Sequence, residues 1–219
     1  MIKHLFLTFA CICAAASTLT GCAPLVVGGA TVAGGKAVAT MIDRRSTGAV
    51  VNDGVLEKRV GWEISQALGD IDSHITVTAY NGRVLLTGEV ATAEGKKIAT
   101  ETAKSSLDVT SVVNELAVRP NQGLFDRMAD SRLATTVRAR IVATDEVYLS
   151  QMKVVVDRGI VYLMGIVTPQ ENTIAMTEAA RTSKVQRVIS VCEVMSAERI
   201  KQRLRDLQSE RQKQMEANQ

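Results

Sequence analysis

The sequence predicts an α+β fold of two α-β-β-α-β units. Each is a three-stranded mixed sheet with two helices on one face, and a charged helical tail follows. Three observations carry this. Residues 75–90 alternate in hydrophobicity with period two around Asn81-Gly82, the pattern of a tight β-hairpin. The pattern returns without a gap seventy-seven residues later, with Val77, Gly82, Val84, Leu86, Gly88 and Val90 matched by Val154, Gly159, Val161, Leu163, Gly165 and Val167. Helical stripes flank both hairpins, and an ungapped repeat of this length marks one supersecondary unit used twice.

At the amino terminus, Lys3 precedes an apolar run over residues 5–16, too short to span as a stop-transfer helix. Small residues and then Leu19-Thr20-Gly21-Cys22 resemble a bacterial lipobox, so residues 1–21 are expected to be a leader and Cys22 the lipidated residue. One acyl chain holds a protein only marginally; two or three would make release negligible. Residue 23 is Ala, not the Asp that favours inner-membrane retention in such lipoproteins. Residues 22–50 read as lipidated cysteine and tether. Gly34-Gly35-Lys36 lacks the spacing, following hydroxyl and preceding strand of a phosphate loop.

The first unit is expected over residues 51–119. Asp53 is a helix N-cap candidate, Leu56, Val60 and Ile64 form a core stripe, and Gly69 ends the helix. Thr92 caps a second helix whose Ile98, Ala99 and Ala103 face the sheet. Residues 109–118 form the third strand, with Val112, Leu116 and Val118 on one face. A right-handed crossover then places both helices on one side. Trp62, the only tryptophan, falls about 200° around the helix from the core stripe, which suggests inter-domain or membrane packing.

Residues 120–129 read as a linker and 130–195 as the second unit. Asp130 repeats Asp53, and Leu133, Val137 and Ile141 repeat the stripe. Thr168-Pro169-Gln170-Glu171 is a capping box with Pro at N1. Cys192 replaces Leu116 and reads as a buried small hydrophobe; the other cysteines are Cys11, Cys13 and Cys22, so no disulfide framework fits the folded part. The outward side of the first helix carries Met128, Arg132, Thr135, Ala139 and Val142, flanked by Thr136 and Arg138 and preceded by Leu124-Phe125. No acid occurs over residues 131–144. Such a face fits either an anionic lipid surface, each arginine contributing about 1 kcal/mol, or a solvated face with a domain contact. Residues 196–219 read as a charged helix or tail, more solvated than docked.

Of 219 residues, 46% are apolar and 22% charged, with net charge +3, so any basic patch is local. Aromatics at 3% argue against stacking platforms for single-stranded nucleic acid. After leader removal His74 is the only histidine, which leaves no nucleophile–His pair or zinc cluster. The chain therefore reads as non-enzymatic, with no cofactor or metal. Repeats of this size would each be marginal alone, so they are expected to pack together.

Two such units behind a lipobox, each with V-x-V-x-x-x-x-G-x-V-x-L-x-G, resemble the tandem-BON-domain lipoproteins of Gram-negative envelopes. Residues 43–48 (DRRSTG), Asn52-Asp53-Gly54, Thr136-Val137-Arg138 and residues 161–168 (VYLMGIVT) add to the match. The resemblance implies an outer-membrane protein, lipid-anchored and facing the periplasm, that supports envelope integrity. It also implies anionic phospholipid binding through residues 131–142, giving Met128, Arg132, Leu133, Thr135, Thr136, Arg138, Ala139 and Val142 as lipid-binding candidates. Where the family carries an aromatic this chain has Arg132, and Leu133, Phe125 or Met128 would supply the apolar wedge. The alternative is a periplasmic adaptor or self-associating scaffold for envelope assembly proteins. No nucleic-acid partner is expected.

Overall fold

The computed structural model describes residues 43–217; Cys22, the leader and the tether up to residue 42 lie outside the described residues. The first unit runs α1 (Thr47–Leu68), β1 (Ser73–Tyr80), β2 (Arg83–Val90), α2 (Ala93–Ser105), β3 (Ser111–Asn114) and β4 (Ala117–Val118). The second runs α3 (Leu124–Val142), β5 (Met152–Asp157), β6 (Ile160–Val167), α4 (Pro169–Ala180), β7 (Arg187–Ser190) and β8 (Glu193–Val194). Helix α5 (Ala197–Ala217) closes the chain.

In each sheet the second hairpin strand is central. β1 pairs antiparallel with β2, which pairs in parallel with β3 and β4; β5, β6, β7 and β8 repeat this. β3 and β4 are one strand interrupted at Glu115-Leu116, where the Asn114 carboxamide oxygen accepts from the Leu116 N–H at 2.9 Å. The interruption corrects the expected single face: Leu116 is buried in the core, Val112 partly so, and Val118 is exposed. Helix positions α2 and α4 follow the sequence, with Thr92 capping one and a full Thr168–Glu171 capping box starting the other.

The first helix of each unit begins earlier than its apolar stripe suggested. Ser46 and Gly123 are the N-caps, so residues 47–50 leave the tether and Leu124 onward leave the linker. Asp53 and Asp130 are therefore not caps. The Asp53 carboxylate accepts from the Asn81 and Gly82 N–H groups at 2.7 and 2.9 Å, and Asp130 accepts from Arg158 and Gly159 at 2.8 and 3.0 Å. Each aspartate ties the hairpin turn of its unit to the helix above it. At the other end of the hairpins Gly88 sits at φ 110°, where an added Cβ would lie 2.0 Å from the His74 carbonyl oxygen. At Gly165 the corresponding clash, with the Gln151 carbonyl oxygen, would be at 2.4 Å.

Alternate strand residues serve two cores. Val84, Leu86 and Val90 pack under α1 and α2, and Val161, Leu163 and Val167 under α3 and α4. The opposite, helix-free faces meet in a third core built on Tyr80 and Leu85 from one sheet and Tyr162, Met164 and Ile166 from the other. The central strands are thus buried on both faces, and the helices form the outer layers. Ile200 and Leu204 of α5 join this third core, so the first half of the tail is docked while its second half is solvated.

Polar ties lock the contact. The Tyr80 hydroxyl donates to the Gln151 carbonyl at 3.0 Å, and Lys153 reaches the Ala79 carbonyl and Glu57 at 2.9 and 2.8 Å. The Asp43-Arg44-Arg45 segment, expected as a polar loop, is a staple between the units. Arg45, 7% exposed, pairs with Asp43 and Asp53 and lies 4.0 Å from the Tyr80 ring centroid. Arg44, 4% exposed, forks both Glu171 oxygens at 2.7 Å and donates to the Ile166 carbonyl at 2.8 Å. From α5, Arg203 donates to the Arg44 carbonyl at 2.7 Å.

Burial works against the Glu171 charge, but the Arg44 fork and the Thr168 N–H outweigh it and hold its pKa below the ordinary carboxylate value. A depressed carboxylate stabilises the fold above its unfolded-state pKa, and that contribution fades as pH falls through the folded one. Two outcomes are expected. Glu171→Gln should cost about 3 kcal/mol near neutral pH by orphaning Arg44. It should also make the loss of stability on acidification below about pH 4.5 shallower than in the parent chain, read by denaturant unfolding across pH. Gly88→Ala should destabilise by more than about 2 kcal/mol in the same assay, because backbone conformation and contact both oppose it.

Candidate functional site

Helix α3 places its residues by the 100° step of an α-helix. Leu133, Val137 and Ile141 are buried against the sheet and α4, and Ala134 is buried on the side of the helix that lines the groove facing β1. Leu133, at 9% exposure, is consequently a core residue and not part of the lipid-binding set, because it shares the stripe of Val137 and Ile141. The other candidates are where the helical wheel puts them. Met128, Arg132, Thr135, Thr136, Ala139 and Val142 are exposed, continuous with Leu124 and with Phe125, which is 85% exposed. The Thr135 and Thr136 hydroxyls donate to the Ser131 and Arg132 carbonyls at 3.1 Å, which spends their polarity on the helix itself.

Arginines border this apolar strip on both sides. On one side Arg127 and Arg138 line a groove of about 500 Å³ that runs against His74, Thr76 and Thr78 on the back of β1. Arg138 is half-buried because its guanidinium donates to the Val154 carbonyl at 2.6 Å, so it braces the outer edge of β5. On the other side Arg132 and Thr136 line a shallow depression of about 720 Å³ with Arg140, Arg158 and Lys184. Arg140 also pairs with Glu178 at 3.3 Å. Asp130 is occupied by the turn it holds, leaving Asp126 as the acid of the first turn.

Arg127, Arg140, Arg158 and Lys184 were absent from the sequence-based set. Arg127 becomes legible only once the helix is known to start at Leu124. Arg158 and Lys184 are brought in by the hairpin turn and the loop after α4, which no local spacing reveals. Cys192 is half-buried, its thiol donating to the Leu163 carbonyl at 3.3 Å, and burial pushes its pKa up to about 11. That is the opposite of an activated nucleophile. Among the described residues no group of three His, Cys, Asp or Glu side chains is placed to hold a metal, and no helix is long and apolar enough to cross a membrane.

The BON domain model matches twice, over residues 52–120 and 129–195, which is more than half of the chain. The chain belongs to the BON-domain family. Its two BON domains coincide with the two sheet-and-helix units described above. The chain is similar to the outer membrane lipoprotein DolP of Haemophilus influenzae, with 36% identity over 174 residues, 79% of this chain and 88% of that one. It is also similar to a 21 kDa hemolysin of Actinobacillus pleuropneumoniae, with 33% identity over 151 residues, 68% of this chain and 78% of the relative. Among solved structures it aligns with CdsD, a structural protein of the type III secretion system of Chlamydia trachomatis. That alignment has 12% identity and a TM-score of 0.28, covering 64% of this chain and 94% of that one.

The division of α3 into a core face and an exposed face separates two substitutions. Leu133→Ala should lower unfolding stability by about 2–4 kcal/mol. Phe125→Ala, at a position 85% exposed, should leave the thermal midpoint in place.

Proposed function

We propose that the protein is a non-enzymatic, outer-membrane lipoprotein, anchored through Cys22 and facing the periplasm, whose second BON domain binds anionic phospholipid through the exposed face of α3. The observation that carries this reading is the strip of Leu124, Phe125, Met128, Ala139 and Val142 bordered by Arg127, Arg132 and Arg138. Apolar groups enter the acyl boundary while guanidiniums remain at the phosphates, the division of labour of an interfacial helix. The outer-membrane placement is supported by the name of the Haemophilus relative and by the lipobox residues. A role in envelope integrity is an extension of the same reading. Arginine is suited to the phosphate because its planar fork donates two hydrogen bonds at once.

The fold supports the reading by rigidity. α3 is fixed to its sheet by three buried aliphatics, and that sheet is fixed to its neighbour, so presenting the strip requires no rearrangement. A second reading, an adaptor or self-associating scaffold, is favoured by one feature: among the described residues β2 is the one strand that pairs with β1, so the outer edge of β1 carries no strand, although Glu57 and Lys153 occupy its Ala79 amide and carbonyl.

Flotation of the acyl-free mature chain with vesicles tests the first reading. Binding should require anionic lipid and weaken with salt. Arg132→Glu, which removes no hydrogen bond to the fold, should reduce it by about tenfold or more. Arg138→Glu should reduce it too, with an added loss of stability from the released Val154 carbonyl. Absence of binding at low salt, together with concentration-dependent self-association, would favour the scaffold reading.

A further inference from the structure

The seventy-seven-residue repeat gives α1 a face equivalent to the lipid-facing strip of α3. Val51 stands at the position of Met128, Val55 at that of Arg132, Lys58 at that of Thr135 and Trp62 at that of Ala139. Leu56, Val60 and Ile64 satisfy the core on the other side of the helix. The outward residues are thus not needed for folding, yet Val51, Val55 and Trp62 are exposed, Trp62 at 64%. Leu107 extends the patch laterally: Arg59, beside Val55 on the wheel, donates to the Leu107 carbonyl at 2.8 Å, and the Leu107 side chain is exposed. Trp62 makes no part of the contact between the two units, whose core lies on the far side of the sheet.

We propose that the outer face of α1 is a second membrane-contact surface, with Trp62, Val51 and Val55 seated at the lipid interface and Lys58 against headgroup phosphate. Two features select a bilayer over a second copy of the chain. Lys58 lies in the middle of the stripe, so pairing the face with itself about a two-fold axis would bring like charges together in a desolvated centre. A lipid surface places that ammonium at phosphate instead, and indole is the ring best suited to a boundary that is apolar on one side and wet on the other. The chain itself supplies the proximity. Asp43 enters the described fold four residues ahead of α1. Twenty residues lie between it and Cys22, a length that spans at most about 75 Å fully extended. An anchor at Cys22, which this inference takes from the reading above, confines α1 to the membrane surface, where a weak contact is sufficient.

Trp62 is the sole tryptophan, so its emission reports this face alone. The mature chain, in a Cys192→Ala background, is coupled through the Cys22 thiol to a maleimide lipid in phosphatidylethanolamine/phosphatidylglycerol vesicles, which fixes the tether whether or not the cell acylates it. Trp62 emission should move to shorter wavelength relative to the uncoupled chain and be quenched by lipids brominated in the upper acyl chain. Val55→Asp with Lys58→Glu should reduce the quenched fraction about tenfold without changing the thermal midpoint. Aqueous, unquenched emission on the coupled vesicles overturns the proposal, as does a blue shift that appears without lipid as protein concentration rises, which assigns the face to a second copy. Arg132→Glu separates the two surfaces. If the α3 reading fails, flotation of the acyl-free chain ignores this substitution while Trp62 quenching persists; if the α1 proposal fails, the reverse holds.

Discussion

The constraint on which the structure depends is that each sheet has apolar residues on both faces but helices on only one. Tyr162, Met164 and Ile166 alternate with Val161, Leu163 and Val167 along a single strand, and each set must leave water. α3 and α4 cover one set. The other is covered by the helix-free face of the first sheet, with Ile200 and Leu204 of α5 filling the margin. At about 2 kcal/mol for each buried apolar side chain, this shared core is comparable to the stability of a small domain. Neither unit is complete without it. The same constraint drives the helices to the outside, where α1 and α3 present surfaces that folding does not use.

A shared apolar core leaves orientation loosely specified, and buried charge supplies what it lacks. Arg44 and Arg45 are adjacent in sequence yet serve different units, one holding Glu171 and the Ile166 carbonyl, the other Asp53 and Tyr80. Gly88 and Asp157 add a directional bond at 3.2 Å on the opposite side. The Asp157 pKa is raised, chiefly by burial, with Arg158 and the Gly88 N–H opposing the shift. Groups of this kind are costly to bury and costlier to unpair, so they discriminate against slipped or rotated arrangements. The turn aspartates act the same way within each unit, joining helix to hairpin through two amide hydrogens apiece.

Much of this was legible in the sequence because it is local. Asn81-Gly82 demands its turn, Thr168-Pro169-Gln170-Glu171 its helix start, and the i, i+4, i+8 stripes their buried faces. The outward strip of α3 was legible for the same reason, since it is the complement of the core stripe. What escaped notice is non-local. Asp53 and Asp130 carry the residue type of an N-cap, but their partners lie about thirty residues away in a turn. Residues 43–48 look like any polar loop until both units are folded around them. Leu133 reads both as part of the core stripe and, through the resemblance, as an apolar wedge; its burial with Val137 and Ile141 follows the stripe. The tail was legible as helix-favouring, but its docking through Ile200 and Leu204 depends on a surface made by two other segments.

The proposed lipid contacts require a rigid pair of domains whose outer helices are pre-formed. Following backbone amide chemical shifts while anionic micelles are titrated into the acyl-free chain tests that most directly. The account predicts changes confined to the exposed faces of α3 and α1, around Phe125, Met128, Arg132, Val55 and Trp62, with the amides of β2 and β6 unmoved. Changes spreading through Leu85, Tyr162 and Met164 would show that the two sheets part on meeting lipid, and would contradict it.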